Sequence, residues 1–173
     1  MGDDLFSKPA EYTLDSSALM DIFGDSEWPS MRVTPGLWDR ISQLISDGTI
    51  VSHFEVLREI KTDGRKGIAL YDWAHRHSHI FKDYREHSEG KVIRAMSGKY
   101  KAFVNRSISD VYADPWLIAQ AKCDGLTIIT QEKLTDSPNL SKWNMPNICK
   151  DAGINVECLT LLELTKKCGW KFS

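Results

Sequence analysis

Three acidic residues each lie beside an apolar segment, at a point where the sequence turns polar. Asp15 follows Tyr-Thr-Leu, Asp114 opens Asp-Pro-Trp-Leu-Ile-Ala, and Glu132 follows Leu-Thr-Ile-Ile-Thr-Gln. In α/β proteins the carboxyl ends of parallel strands share one edge of the sheet, and ligands bind at that edge. If the three segments meet there, their carboxylates form a single acidic site.

Converging carboxylates need a counter-charge. Two of them about 4 Å apart repel by about 4 kcal/mol at an effective dielectric constant near 20, so a converging set must protonate, separate or bind cations. A donor set of Asp and Glu oxygens without His or Cys suits Mg²⁺ or Mn²⁺, which also bind phosphate oxygens. The acidic residues therefore favour a metal site that acts on phosphate groups.

Each acid also has a simpler interpretation when it is considered alone. Asp15 and Asp114 are both well placed to cap the helices that follow them, and Pro115 is typical of a first helical position. Glu132 suits an ordinary solvated loop. These alternatives stay open for the individual residues, whereas the shared pattern favours a cation site.

Glu59 is a fourth candidate and lies in a different kind of element. It follows Glu55 by four residues in a predicted helix, and such a like-charge pair mildly destabilises a helix unless a cation relieves it. Either glutamate could face a metal site.

Strands and helices alternate along the chain. The apolar spacing predicts strands at 12–15, 49–52, 126–130 and 154–158. It predicts helices from Ser16 to Gly24, from Pro35 to Gly48, at 53–61, twice within 66–108, and at 114–123, 147–153 and 161–168. This order predicts one α/β domain over 1–173, with a short tail at 1–10, folded as a three-layer α/β/α sandwich around a mostly parallel sheet.

Composition narrows the class of protein. The chain has 173 residues, of which 42% are hydrophobic and 27% charged, as expected of a globular domain. No apolar run approaches the ~18 residues of a membrane span, so we expect a cytoplasmic protein without a membrane partner. Four cysteines without zinc-site spacing predict buried, reduced thiols.

Charge is distributed unevenly. The net charge is −2, yet residues 58–106 contain 12 Lys and Arg against 6 Asp and Glu. A basic surface beside the acidic site would suit nucleic acid, although a solvated helical face explains the same charges. Four basic residues near Glu59 are the candidate substrate contacts: Arg58, Lys61, Arg65 and Lys66.

The order of the four acids resembles that of the PIN-domain ribonucleases. Successive acids are separated by 44, 55 and 18 residues, and the first stands beside Ser16 in this sequence. The segments Met145-Pro-Asn-Ile-Cys-Lys-Asp-Ala-Gly153 and Leu162-Glu-Leu-Thr-Lys-Lys-Cys-Gly169 resemble a prokaryotic branch that includes the VapC-type toxins. The resemblance covers nearly the whole chain.

The resemblance implies a function and a partner. It implies an endoribonuclease that hydrolyses RNA phosphodiester bonds, acts as the toxin of a toxin–antitoxin pair, and therefore binds a protein antitoxin and forms a homodimer. It implies that Asp15, Glu59 and Asp114 hold Mg²⁺ or Mn²⁺, with Glu132 acting through water or on a second ion. Ser16 and Thr130 would orient these groups by hydrogen bonds.

Two departures from that family pattern bear on the site. Many relatives carry Asn or Thr where this chain has Ser16, and Asp where it has Glu132, whose longer side chain could shift a second metal. Two other classes stay open: a Mg²⁺-dependent phosphatase or phosphotransferase of α/β fold, and a non-catalytic PIN-like module that binds RNA or protein. The phosphatase class favours a second acid two residues after Asp15, where this chain has Ser17.

Overall fold

The computed structural model describes residues 9–23, 36–62, 68–83, 87–109 and 112–172. The strands are β1 (Tyr12–Leu14), β2 (Ile50–His53), β3 (Phe81–Lys82), β4 (Thr127–Ile129) and β5 (Cys158–Leu159). The helices are α1 (Ser16–Phe23), α2 (Leu37–Ser46), α3 (Phe54–Thr62), α4 (Ile68–Arg76), α5 (His87–Lys99), α6 (Lys101–Ser109), α7 (Asp114–Asp124), α8 (Met145–Cys149) and α9 (Leu161–Lys167). None of these described helices has the length and apolar character needed to cross a membrane.

The five strands form one parallel sheet in the order β3-β2-β1-β4-β5. Helices flank the sheet, so the predicted α/β class and parallel sheet are confirmed. Strands β1 and β2 are buried along their whole length, as expected when both faces of a parallel sheet are covered. The chain extends from β1 outward to β3 and then returns to the other side of β1 with β4. The boundary between β1 and β4 is thus the topological switch point, where such sheets bind ligands.

Helix α7 places an acidic residue at that boundary. Because it connects to a parallel strand, it runs back across the sheet and begins near the carboxyl ends of the strands. Its contacts with β1, β2 and β4 include Gln120, which is fully buried. Gln120 accepts a hydrogen bond from Thr13 Oγ1 at 2.8 Å and donates one to the Ser52 carbonyl at 3.5 Å. These bonds fix the helix over β1 and β2.

The region 66–108 differs from the prediction. Two helices were expected there, whereas the structure contains α4, α5 and α6 together with the edge strand β3. A two-residue strand is too short to show an alternating pattern, so periodicity misses it. Helices α5 and α6 are separated only at Tyr100, which is buried at 3% exposure, and their apolar spacing therefore reads as one element.

The segment before β5 also differs. A helix at 147–153 and a strand at 154–158 were predicted, but α8 is Met145–Cys149 and β5 is Cys158–Leu159. Pro146 is favoured in the first helical turn, which places the start of α8 earlier. Ile154 and Val156 are buried but flank Asn155, whose φ of 51° is left-handed and ends any extended run there.

The thiols follow the prediction only in part. All four cysteines are unpaired; Cys149 is buried and Cys158 and Cys168 are partly buried. Cys123 is exposed, so the expectation that every thiol is buried was wrong for this residue. The predicted helix boundaries at Gly24 and Pro35, and most of the tail at 1–10, lie outside the described residues.

We expect His53 to stabilise the start of α3, the helix that carries Glu59. His53 is fully buried, and its Nδ1 accepts a hydrogen bond from the backbone N–H of Glu55 at 3.0 Å, as an N-cap side chain does. His53→Ala should lower the free energy of unfolding by about 1–3 kcal/mol, measured by urea denaturation, because it removes this bond and leaves a cavity. His53→Asn keeps an acceptor and should lose less. Equal losses in the two variants would show that the cap contributes nothing.

Candidate functional site

Asp15 lies where β1 ends and α1 begins. Its side chain is buried at 2% exposure, and Oδ2 accepts hydrogen bonds from the hydroxyls of Thr130 at 2.8 Å and Ser17 at 2.5 Å. Thr130 directly follows β4, so the two strands on either side of the switch point are joined through this carboxylate. The site is thus built across the boundary between β1 and β4.

Ser17 is a site residue that sequence reasoning missed. Besides Asp15, its hydroxyl contacts Thr130 Oγ1 at 3.1 Å and accepts the backbone N–H of Gln131 at 3.0 Å. The predicted supporting residue Ser16 reaches Asp15 Oδ1 only at 3.4 Å, the long limit of a hydrogen bond. The sequence showed a serine two residues after Asp15. Whether this serine or Ser16 bonds to Asp15 depends on the direction of the first turn of α1, which the sequence does not give.

Asp114 is a second buried acid of the site. It is the first residue of α7 and is 4% exposed, and its Oδ2 accepts no hydrogen bond from any described residue. The N-cap of α7 is Ala113, which makes no side-chain capping bond, so the capping interpretation of Asp114 was wrong. A buried oxygen without a donor costs free energy unless a proton or a cation satisfies it.

The charge environment of Asp114 shows which acids surround it. Its pKa is raised well above the usual range, first by burial and then by the negative charges of Asp15 and Glu132. Glu59 adds a smaller effect in the same direction, while a hydrogen bond with Tyr112 opposes the shift. The other three predicted acids therefore lie within electrostatic reach of Asp114.

The two glutamates reach the site from different directions. Glu132 is partly exposed, and its Oε2 accepts the backbone N–H of Met145 at 3.1 Å, which fixes the carboxylate to the start of α8. Glu59 projects from α3 and is also partly exposed. Glu55, the alternative to Glu59, is buried and accepts two hydrogen bonds from Arg58 Nη1 at 2.9 and 2.7 Å. The structure thus engages Glu55 in an ion pair and places Glu59 near Asp114.

The other acids influence Asp114 electrostatically, but the described residues do not form a ready-made metal site. Within the described ranges, no group of three or more His, Cys, Asp or Glu side chains is arranged so that it could hold a metal ion as it stands. Electrostatic interactions act over longer distances than metal coordination, and carboxylates without a counter-ion repel one another. The raised pKa of Asp114 is therefore compatible with the lack of a ready-made metal site among the described residues. Mg²⁺ is usually bound through one or two carboxylates and several waters, which relaxes the need for three direct ligands. The donor set and the unsatisfied Oδ2 of Asp114 fit such a hard cation.

The structure describes two of the four predicted substrate contacts, Arg58 and Lys61. Arg58 is committed to Glu55, although its side chain is 47% exposed. Lys61 is exposed in the last turn of α3. Arg65 and Lys66 lie outside the described residues. Lys61 is therefore the one residue of this set that the structure describes and that remains a straightforward candidate for phosphate contact.

A cavity of about 720 Å³ adjoins the acidic site, and we refer to it as the side pocket. It shares Thr130 and Glu132 with that site. Its remaining walls come from the chain after Glu132, from α8, and from the segment that runs from Asn155 through β5 to the start of α9. Glu132 thus belongs both to the acidic site and to the wall of this larger concave surface.

Comparison with known proteins identifies a family. The chain matches the family described as Domain of unknown function (DUF4411) over residues 12–172, from the first strand of the sheet to beyond α9, and it belongs to that family. No curated protein and no solved structure matches it.

Removal of the Thr130 hydroxyl is expected to weaken the site without unfolding the chain. Thr130→Val keeps the shape of a side chain that is 1% exposed but leaves Asp15 Oδ2 without one of its donors. Groups that orient metal ligands in this way typically contribute 10–100-fold to affinity or activity, so we expect a loss of about that size in Mn²⁺ affinity. Thr130→Ser, which retains the hydroxyl, should stay within a few-fold of the wild type. Equal affinities for the Val and Ser variants would contradict the role of this hydroxyl.

Proposed function

We propose that this protein is a metal-dependent endoribonuclease of the PIN type. The observation that carries the proposal is the environment of Asp114, a carboxylate whose pKa is raised first by burial and then by three other acids at the switch point of a parallel sheet. Strongly perturbed titratable groups gathered in one cleft are characteristic of functional sites. Capping does not account for the position of Asp114, because the N-cap of α7 is Ala113.

The four acids would divide the binding of Mg²⁺ or Mn²⁺ among them. Asp15, Glu59 and Asp114 would hold the ion, and Glu132 would bind it through water or contribute to a second site. When bound, such an ion lowers the pKa of coordinated water and stabilises negative charge on phosphate oxygens. We expect RNA products with a 5′ phosphate and a 3′ hydroxyl.

The chain's own residues would prepare the site before the ion arrives. Thr130 and Ser17 hold Asp15 Oδ2 in one orientation. The Met145 N–H positions the Glu132 carboxylate, and Asp114 is held in a buried position at the start of α7. Ligands fixed in this way lose little conformational freedom when a cation binds.

The proposal extends from the reaction to a biological role and to protein partners. By its resemblance to VapC-type proteins, we propose that the chain is a cytoplasmic toxin, restrained by a protein antitoxin that covers the cleft, and that it forms a homodimer. Each of these proposals depends on RNA cleavage at the acidic site.

Incubation of the purified protein with total RNA, tRNA and rRNA tests the function directly. Cleavage should occur with Mg²⁺ or Mn²⁺ and stop with EDTA, and it should return when excess Mn²⁺ is added. Cleavage that persists at full rate in EDTA would reject the metal-dependent mechanism. A complete lack of cleavage in Mn²⁺ with every RNA would reject the nuclease assignment.

A further inference from the structure

The side pocket has the size and position of a ligand site adjoining the acids. Its volume of about 720 Å³ lies within the range of small-molecule pockets, and Thr130 and Glu132 belong both to it and to the acidic site. A ligand in the pocket would therefore lie next to anything bound at the acids.

Two acidic side chains of the pocket already have hydrogen-bond partners of their own, and one of them, Glu157, also has a cationic partner. Glu157 Oε2 accepts from Lys167 Nζ at 2.7 Å and from Thr127 Oγ1 at 2.9 Å. Glu163 Oε2 accepts from the backbone N–H and the hydroxyl of Thr160 in the capping box that starts α9. These two carboxylates are engaged by their own surroundings.

The pocket wall also carries two lysines, beside the carboxylates of Glu132 and Glu163. Lys133 and Lys150 both line the pocket and are exposed, and neither forms an ion pair with another residue of the described ranges. An ammonium group binds phosphate as a point charge. Two of them beside a cation-binding cluster suit a ligand with more than one phosphate along its length.

The pocket also offers apolar surface. Leu134 is an exposed large hydrophobic residue at 52%, and it lines the pocket together with Pro146 and Val156. Of these three only Leu134 is exposed, because Pro146 and Val156 are buried, so the apolar surface offered to a ligand centres on Leu134. A flat heterocyclic base can cover such a surface while its phosphate remains near the lysines.

We propose that the side pocket binds one nucleotide of the RNA next to the scissile phosphate, with the base against Leu134 and Val156 and the phosphate at Lys133 and Lys150. This inference rests on the proposed ribonuclease function and specifies how that site selects its substrate. A pocket that holds a single base would restrict cleavage to RNA whose chain can leave the double helix, because a paired base cannot enter it.

Binding and cleavage are measured separately to test the proposal. The four nucleoside 5′-monophosphates and inorganic phosphate are titrated into the full chain, and Kd values are compared for the wild type, the double variant Lys133→Glu/Lys150→Glu, and the matched control Lys171→Glu. Lys171 is exposed and does not line the pocket. The double variant should bind nucleotides at least about tenfold more weakly and should raise the KM for RNA with little change in kcat, while the control matches the wild type.

The outcomes separate this inference from the ribonuclease proposal. Lysine-dependent nucleotide binding without any RNA cleavage would support the pocket and reject the nuclease. Normal cleavage with equal Kd and KM in the double variant and the control would reject the pocket and leave the nuclease intact. Inorganic phosphate that binds as tightly as every nucleotide would overturn the base-binding part, and Leu134→Ala, which should weaken nucleotide but not phosphate binding, tests that part independently.

Discussion

Asp114→Asn is expected to lower RNA cleavage by about 100- to 1,000-fold while leaving the fold intact. The loss follows because the amide carries no negative charge with which to hold a divalent cation beside Asp15. The fold should survive because Asn has the shape of the protonated acid, the form that the raised pKa of Asp114 favours without metal. In metal-free buffer the variant should even be more stable, by about 0.5–2 kcal/mol, as is common when a strained functional group is neutralised.

Asp72→Asn is the matched control for this change. Asp72 is exposed on α4, so the same chemical substitution is made there on a solvated helix surface. Cleavage by Asp72→Asn should equal that of the wild type, and its free energy of unfolding should change by less than about 0.5 kcal/mol. Undiminished cleavage by thoroughly purified Asp114→Asn would remove Asp114 from the mechanism.

The second large effect concerns the pH dependence of stability. Burial and the charges of Asp15 and Glu132 raise the pKa of Asp114 well above its usual range in the folded state. Between the ordinary value and the raised one, the folded chain keeps a proton that the unfolded chain has released. Asp114 therefore contributes stability at low pH that is lost as the pH rises through its folded pKa.

Urea denaturation in EDTA across the mildly acidic to neutral range measures this contribution. The wild type should lose stability with rising pH relative to Asp114→Asn, in which the titrating group is absent. Saturating Mn²⁺ should reverse the relative slope, because the cation binds the ionised form and stabilises the folded state by mass action. Parallel pH profiles for the two proteins, with and without Mn²⁺, would contradict the proposed coupling between the acids.

Local sequence signals located the elements that build the acidic site. Helix α7 was predicted at 114–123 and is found at Asp114–Asp124, since Pro115 and Gly125 provide clear start and stop signals. Strands β1 and β2 were placed within a residue of their observed bounds, because short buried apolar runs beside helix signals are distinctive. The alternation of strands and helices predicts a parallel sheet, but it does not fix the strand order, which depends on contacts between distant segments.

Side-chain contacts were harder to predict from the sequence than the helices and strands. The spacing of the acids indicated one site, but not that Thr130 would bond Asp15 or that Ser17 would replace Ser16 as its nearest partner. Those contacts depend on the direction of a hydroxyl in three dimensions. Arg58 likewise forms an ion pair with Glu55 that its position in the sequence did not indicate, and its contact with RNA stays a prediction.

The most direct test of the central claim is a calorimetric titration of the metal-free protein with Mn²⁺. The claim is that Asp15, Glu59, Asp114 and Glu132 act together as one cation site. Wild type and Asp72→Asn should bind Mn²⁺ with the same affinity, and Asp114→Asn should bind it at least about tenfold more weakly. Absence of Mn²⁺ binding by the wild type, or equal affinity in Asp114→Asn, would contradict the existence of the site.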